Sequence, residues 1–348
     1  MKKIRRSLLL PLAAASALAA MAFGGPSRAA VTGTWTIEPS RDAGSVQLEI
    51  RRRSAHSDWT SGETLPISSL SGLSAEALRA GGDLRFELRR DAGVFRFEGD
   101  VRDGEGGGRL TFEADPAYVS DMAALGYDGL TDDRLFSAAV HDVSRTFVRD
   151  LAALGYARLP FDDLVAFRIH GATPEYIRAM QGLGYRSASP DEIVAFRIHG
   201  ATPEYVKAMA ELGLTSIPPD DLVAMRIHGV RPELVKTLRD LRYPDAAPED
   251  LVALRIHGAT EEFLRDLASL GYAGASADDL VAMRIHGVSP EFIRELGSLG
   301  YARVPVDDLV AMRIHGVTPE FIRRALNRRG ERPSPEELVA MKIHGSDD

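Results

Sequence analysis

The chain contains no cysteine. That absence excludes disulfides, thiolate metal sites, a cysteine nucleophile and a lipidated N-terminal cysteine. Tryptophan is scarce, with Trp35 and Trp59 the whole supply. Beyond Phe23, no apolar run approaches the roughly 20 residues that a membrane-spanning helix needs. Basic residues are in the minority, 42 Lys and Arg against 50 Asp and Glu, for a net charge of −8. Affinity for nucleic acid rests on neutralising phosphates, so this balance argues against a nucleic-acid partner. Catalytic signatures are missing as well. There is no His-Glu-x-x-His, no phosphate-binding Gly-rich loop ending in Gly-Lys-Ser/Thr, and no Gly-x-Ser-x-Gly. The glycine-rich Gly104–Gly108 is followed by no helical pattern and reads as a loose turn. No unrepeated set of nucleophile, acid and base stands out, so an enzyme is not the expectation.

What is present begins with an export signal over residues 1–29. Lys2, Lys3, Arg5 and Arg6 precede an apolar stretch from Leu8 to Phe23, and Ser27 and Ala29 supply small residues before a cut after Ala29. Arg5-Arg6-Ser7-Leu8-Leu9 partly resembles a twin-arginine signal, although Ile4 stands where Ser or Thr would. The segment holds five basic residues and no acid, so its removal leaves 37 basic against 50 acidic residues, a net of −13. The expected location is periplasmic or secreted, in a bacterium, with no membrane span after cleavage.

Residues 30–112 alternate with period 2. Val46, Leu48 and Ile50 take turns with polar residues, as do Leu84, Phe86 and Leu88, and then Phe95 and Phe97. Such segments are half-buried strands with one wet face. Trp35 and Ile37 mark a first strand, Leu110 and Phe112 a last, and Asp91-Ala92-Gly93 a hairpin turn. The expectation is a small antiparallel β domain of five or six strands. Ser54 to Gly72, with His56 and Trp59, reads as a polar surface loop.

Residues 113–344 repeat. Ile-His-Gly recurs with its histidine at His170, His199, His228, His257, His286, His315 and His344, and one further step back lands on His141. Every interval is 29 residues, which gives eight uninterrupted units and a short tail at 345–348. Each unit reads as two short helices. Thr173-Pro174-Glu175 supplies an N-cap, a proline at the first helical position and an acid in the first turn. Ser189 and Glu192 have capping-box spacing, and Gly184 and Gly200 are helix stops. The second helix is apolar almost all round and is expected to be sandwiched between neighbours. One unit cannot bury both helices, whereas a stack of units can. The fold class is therefore mainly α: an α-solenoid of eight two-helix repeats after a small antiparallel β domain. The end units should be polar caps, since Ala139 and Asp142 replace Arg and Gly in the first, and Arg328, Arg329 and Gly330 occupy the last.

Two rows of side chains recur in phase. One is Arg168, Arg197, Arg226, Arg255, Arg284 and Arg313, closed by Lys342. The helical wheel places each arginine inside the apolar arc, where a guanidinium needs an acceptor. A carboxylate or a helix C-terminal carbonyl of the adjacent unit would supply it, with Arg226 largely buried and so bonded. The alternative is a guanidinium row open to an acidic ligand. The other row is the histidines, placed at helix C-termini where positive charge is favoured. Helix axes pack about 8–10 Å apart, too far for successive histidines to share a zinc at about 2.0–2.1 Å. Neither metal nor cofactor is expected. The repeated acid pairs, such as Asp162-Asp163 and Asp191-Glu192, open helices and need no catalytic role.

The string Leu-Val-Ala-Met-Arg-Ile-His-Gly-Val-Thr-Pro-Glu-Phe-Ile-Arg at 309–323 resembles helical repeats of bacterial exported proteins. Some of those follow membrane metallopeptidases of the beta-lactam-sensing antirepressor type. The resemblance covers 113–344. The peptidase part is absent here, so the resemblance carries over no catalytic residue. A looser likeness to the DNA-reading effector repeats of plant pathogens, which also begin Thr-Pro-Glu, is outweighed by acidity and export. The reading is a non-catalytic exported module for protein interaction or scaffolding, with a protein or peptide partner. The alternative is a sensory or regulatory domain that binds a small anionic ligand, such as a cell-wall fragment, on the arginine row.

Overall fold

A computed structural model describes residues 30–53, 58–329 and 332–345. The proposed export signal, His56 and Gly330 lie outside them. The chain divides into two units. One holds the sheet, up to residue 115 apart from residues 90–92, and the other holds those three residues with 116–348.

In the first unit the period-2 pattern becomes a seven-stranded antiparallel sheet. Its strands are β1 (Val31–Pro39), β2 (Ser45–Arg53), β3 (Asp58–Pro66), β4 (Leu70–Ser71), β5 (Gly82–Arg90), β6 (Gly93–Arg102) and β7 (Glu105–Ala114), ordered β3-β2-β1-β7-β6-β5-β4. The alternating apolar residues meet on one face. Trp35 sits edge-on to Phe86 at 5.0 Å, Phe86 stacks on Phe97 at 4.5 Å, and Phe95 lies 4.8 Å from Phe112. All of these rings are buried. Burying such side chains is worth roughly 1.5–3 kcal/mol each.

Three expectations need correction. The polar loop is a strand for much of its length, because β3 pairs with β2 from Ser45↔Pro66 to Arg53↔Asp58. It is an edge strand whose only large apolar residues, Trp59 and Leu65, are separated by polar residues and glycine, so it carries too little alternation to read. Gly106 to Gly108 form no loose turn either. The turn is Asp103-Gly104, both at positive φ (53° and 86°), and the following glycines pair with Ile37, Thr36 and Trp35 inside β7. A Cβ on Gly108 would fall 2.0 Å from the Glu98 carbonyl oxygen. These glycines permit close approach, and the Trp35 indole N–H donates to the carbonyls of Arg109 (3.0 Å) and Glu98 (3.3 Å) there. Finally, a short helix α1 (Ala75–Ala80), capped by Ser74, stands where nothing regular was expected.

In the second unit, sixteen helices follow among the described residues, α2 (Pro116–Ala124) to α17 (Pro335–Ile343), two for each 29-residue unit. The capping residues act as their sequence implies. Before α6 (Pro174–Gly182) the Thr173 hydroxyl accepts from the Tyr176 N–H at 3.3 Å. Before α7 (Pro190–Ile198) Ser189 and Glu192 exchange both bonds of a capping box. Gly200 ends α7 in the left-handed region at φ 72°, and Ala201 N–H reaches back to the Phe196 carbonyl at 2.8 Å. In the first unit Asp142 replaces that glycine and still holds φ at 52°.

First helices pack on first helices and second helices on second, in two layers. Leu164 and Phe167, Ile193 and Phe196, Leu222 and Met225 are each at most 1% exposed. Tyrosines fasten the loops of successive units. Tyr176 donates to the Ala201 carbonyl at 2.7 Å and Tyr205 to that of Val230 at 2.9 Å. Burial pushes both phenols up to about 12. No helix among the described residues is long and apolar enough to cross a membrane.

Candidate interaction face

The second helices are where the sequence-derived candidates lie, with the arginines mostly half-buried and the histidines half-buried or exposed. At about 100° per residue the arginine falls some 40° from the buried leucine of its helix, between neighbouring units. There it sits over an aromatic ring of its own unit, 21 residues earlier. Arg168 covers Phe147 (5.2 Å), Arg197 covers Tyr176 (4.7 Å), Arg226 covers Tyr205 (4.5 Å), Arg284 covers Phe263 (4.9 Å) and Arg313 covers Phe292 (5.0 Å). Lys342 over Phe321 ends the row. For Arg255 the matching residue is Leu234, which is no ring.

Some guanidinium groups also reach the preceding unit. Arg168 Nε donates to the His141 carbonyl (2.9 Å), Arg197 Nε to that of His170 (3.1 Å) and Arg284 Nε to that of His257 (3.3 Å). Arg168 adds the Asp142 carboxylate at 2.8 Å. The acceptor is the C-terminal carbonyl of the adjacent second helix. Arg226 departs from its expectation. It is half-buried, and its Nε, like those of Arg255 and Arg313, has no hydrogen-bond partner. Its guanidinium sits over the Tyr205 ring, 4.5 Å from the centroid.

The histidines enter these contacts through their carbonyls. Their side chains are half-buried at His170 and His199 and exposed at His228, His257, His286 and His315. Among the described residues no three His, Asp or Glu side chains gather where they could hold a metal ion. His141 differs from the rest: burial, with the Arg168 charge nearby, holds its imidazole below the usual range.

The expectation that the second helix is covered on all sides is overturned by its isoleucine. Ile169, Ile198, Ile227, Ile256, Ile285, Ile314 and Ile343 are each 54–55% exposed. Ile169 lies about 140° round the helix from Leu164, so when leucine faces inward isoleucine faces out. Val165, four residues before it, shares that side and is half-buried. One turn further towards the N-terminus stands an exposed acid: Asp162, then Asp191, Asp220, Glu249, Asp278, Asp307 and Glu336 in turn. Acid and isoleucine are seven residues apart, about 10 Å of helix. In every repeat after the first, the second helix thus presents acid, Val and Ile along one outward arc, with His about 100° further round at its end, and stacking turns that arc into parallel stripes. Neighbouring acids feel one another, since Asp163 is held above the usual carboxylate range by burial and by Asp191 and Asp162.

The fold and this face define a class: a tandem array of two-helix repeats, following a β sheet, that carries an uncovered apolar stripe beside an acidic one. No known family model matches the chain, and no curated protein matches it either.

Proposed function

We propose that this protein is an exported, non-catalytic interaction module, and that it binds cationic, apolar protein segments along the isoleucine stripe. The observation that carries this reading is the row of seven isoleucines, each more than half exposed, one in every repeat after the first. A contiguous apolar patch that recurs this regularly marks an interaction surface, whereas isolated exposed apolar residues do not. The acidic stripe sets the sign of the partner by charge complementarity. Spacing sets its form. Packed helices lie about 8–10 Å apart, and an extended polyproline-type segment advances about 9.3 Å in three residues. A partner with an apolar side chain at every third position would meet one repeat per turn. Export is supported by the charged, apolar and small-residue pattern of residues 1–29 and by the lack of cysteine. The arginine row, stacked on rings, has no geometry in its favour as a face for a small anionic ligand.

The test is a fluorescence titration with synthetic peptides carrying Leu at every third position and Lys between. The wild type is compared with a variant combining Ile198→Gln, Ile227→Gln and Ile256→Gln. Partial burial of each isoleucine is worth on the order of 1 kcal/mol, so the triple variant should bind about 100-fold more weakly while melting like the wild type. Undiminished binding by the folded variant, or no binding by any such peptide to the wild type, refutes the reading.

A further inference from the structure

The outward face of the sheet holds a second site, independent of the helical stripe. A cleft of about 960 Å³ opens over β1, β2, β3, β6 and β7. Register aligns its lining in two rows. Thr60 pairs with Arg51, Arg51 with Thr34, Thr34 with Arg109 and Arg109 with Glu98, which makes one row across five strands. Thr32, Thr111 and Arg96 make a shorter row beside it. All eight residues are exposed. Pairing of β1 with β2 stops at Thr34↔Arg51, and β2 runs on, paired with β3. There Arg52, opposite half-buried Trp59, closes one side of the cleft.

The charge of this lining runs against that of its surroundings. Residues 30–115 contain 11 Arg, no Lys and 15 acids, yet four arginines line the cleft against one carboxylate, Glu98. Glu98 is itself drawn to Arg85 at 3.7 Å. Arg51 is fixed by Glu49, and Arg96 by Glu113 (2.6 Å) and Glu87 (3.2 Å). Arg109 has no ion-pair or hydrogen-bond partner for its guanidinium among the described residues. An unpaired guanidinium between threonine hydroxyls calls for a ligand that carries both carboxylates and hydroxyls. Strands lie about 4.8 Å apart, close to the advance of one pyranose along a glycan. A chain laid across the strands would therefore meet one row residue per sugar, with the Trp59 indole as an apolar wall at the end.

We propose that this cleft binds an acidic glycan, a chain of sugars bearing carboxylates. Single-stranded nucleic acid also pairs cations with an aromatic ring. It is disfavoured because its affinity depends on many phosphate contacts, and one unpaired arginine in an acidic unit offers few.

The experiment titrates the chain without residues 1–29 with an oligogalacturonate hexamer and reads tryptophan fluorescence. Trp35 is 1% exposed in the core, so a ligand-dependent change reports Trp59. The same hexamer as its methyl ester, inorganic phosphate and a single-stranded oligonucleotide form the comparison arms. Saturable binding is expected for the free acid and not for the ester, phosphate or oligonucleotide. Arg109→Gln should weaken that binding about tenfold with an unchanged melting curve, since the side chain is exposed and unpaired. Trp59→Phe, read by calorimetry, should keep most of the affinity and lose the fluorescence change. Equal binding of acid and ester overturns the proposal, as does wild-type affinity in Arg109→Gln. Tighter binding of the oligonucleotide or of phosphate alone overturns it too. None of these outcomes touches the isoleucine stripe, so the two readings stand or fall separately.

Discussion

A guanidinium on a ring and a guanidinium on a carbonyl have different consequences, and the repeated arginines provide both within one array. Arg197→Met deprives the His170 carbonyl of its 3.1 Å donor, which should cost about 1 kcal/mol. Arg226→Met removes a buried N–H that has no acceptor and a ring contact worth about 0.5–1 kcal/mol. Methionine restores much of that packing, so the loss should be a few tenths. Urea denaturation of both variants checks this, and equal losses would sink the distinction. His141 gives a pH signature. Its folded imidazole titrates below the ordinary value of 6.5, so the unfolded chain takes up the proton first. The stability it contributes is complete above the unfolded pKa and is lost as pH falls through the folded one. Between about pH 7.5 and about pH 5.5, the urea midpoint should drop less in His141→Gln than in the wild type. An equal drop would show that other groups set the slope.

Every second helix after the first ends at a left-handed glycine, and the structure gives most of those glycines a second reason to lack a side chain. A Cβ on Gly200 would sit 3.3 Å from Arg226 Nη2, and one on Gly171 would sit 3.0 Å from Arg197 Nη2. At Gly229 nothing lies within 4 Å. The arginine that would cover it is Arg255, whose own unit has Leu234 in place of a ring. The ring therefore seats the guanidinium against the preceding cap. Gly229→Ala should cost only the left-handed penalty, about 1 kcal/mol. Gly200→Ala should cost that and a few tenths more, because the Arg226 guanidinium, 3.3 Å from the added Cβ, must also shift slightly over Tyr205. Thermal unfolding of the two variants decides between this account and one from φ alone, under which the losses are equal. The caps, stops and helix count were legible in the sequence because each depends on a few adjacent residues. The edge strand β3 was not. With only Trp59 and Leu65 apolar along its inner side, it shows no clear periodicity, and its pairing with β2 defines it.

Across the helical unit every repeat packs chiefly on its two neighbours. Stability should then be near-additive in units. Deletion of residues 200–228 joins two equivalent phases and should leave a folded, cooperative array. The m-value of its urea transition should fall by about one-eighth of the array's share. A broad, multi-step transition, or loss of helicity by circular dichroism, would show that the array does not behave as a sum of units.

The 29-residue period, the two helices per unit, the capping chemistry and the alternating strands are all fixed by the sequence, since each follows from local backbone preference and from the need to bury a periodic apolar face. The same reading placed arginine in the apolar arc, which a helical wheel shows, and surrounded the isoleucine on all sides, which it does not. Hydrophobicity says that a side chain favours burial. Whether a neighbour reaches it depends on which side of a nine-residue helix meets the next. Tertiary packing chose the leucine and methionine side, set the arginines on rings and carbonyls, and left seven isoleucines in solvent. It also assembled the basic cleft, whose threonines and arginines are scattered over five strands and fall into two adjacent rows only when the strands pair.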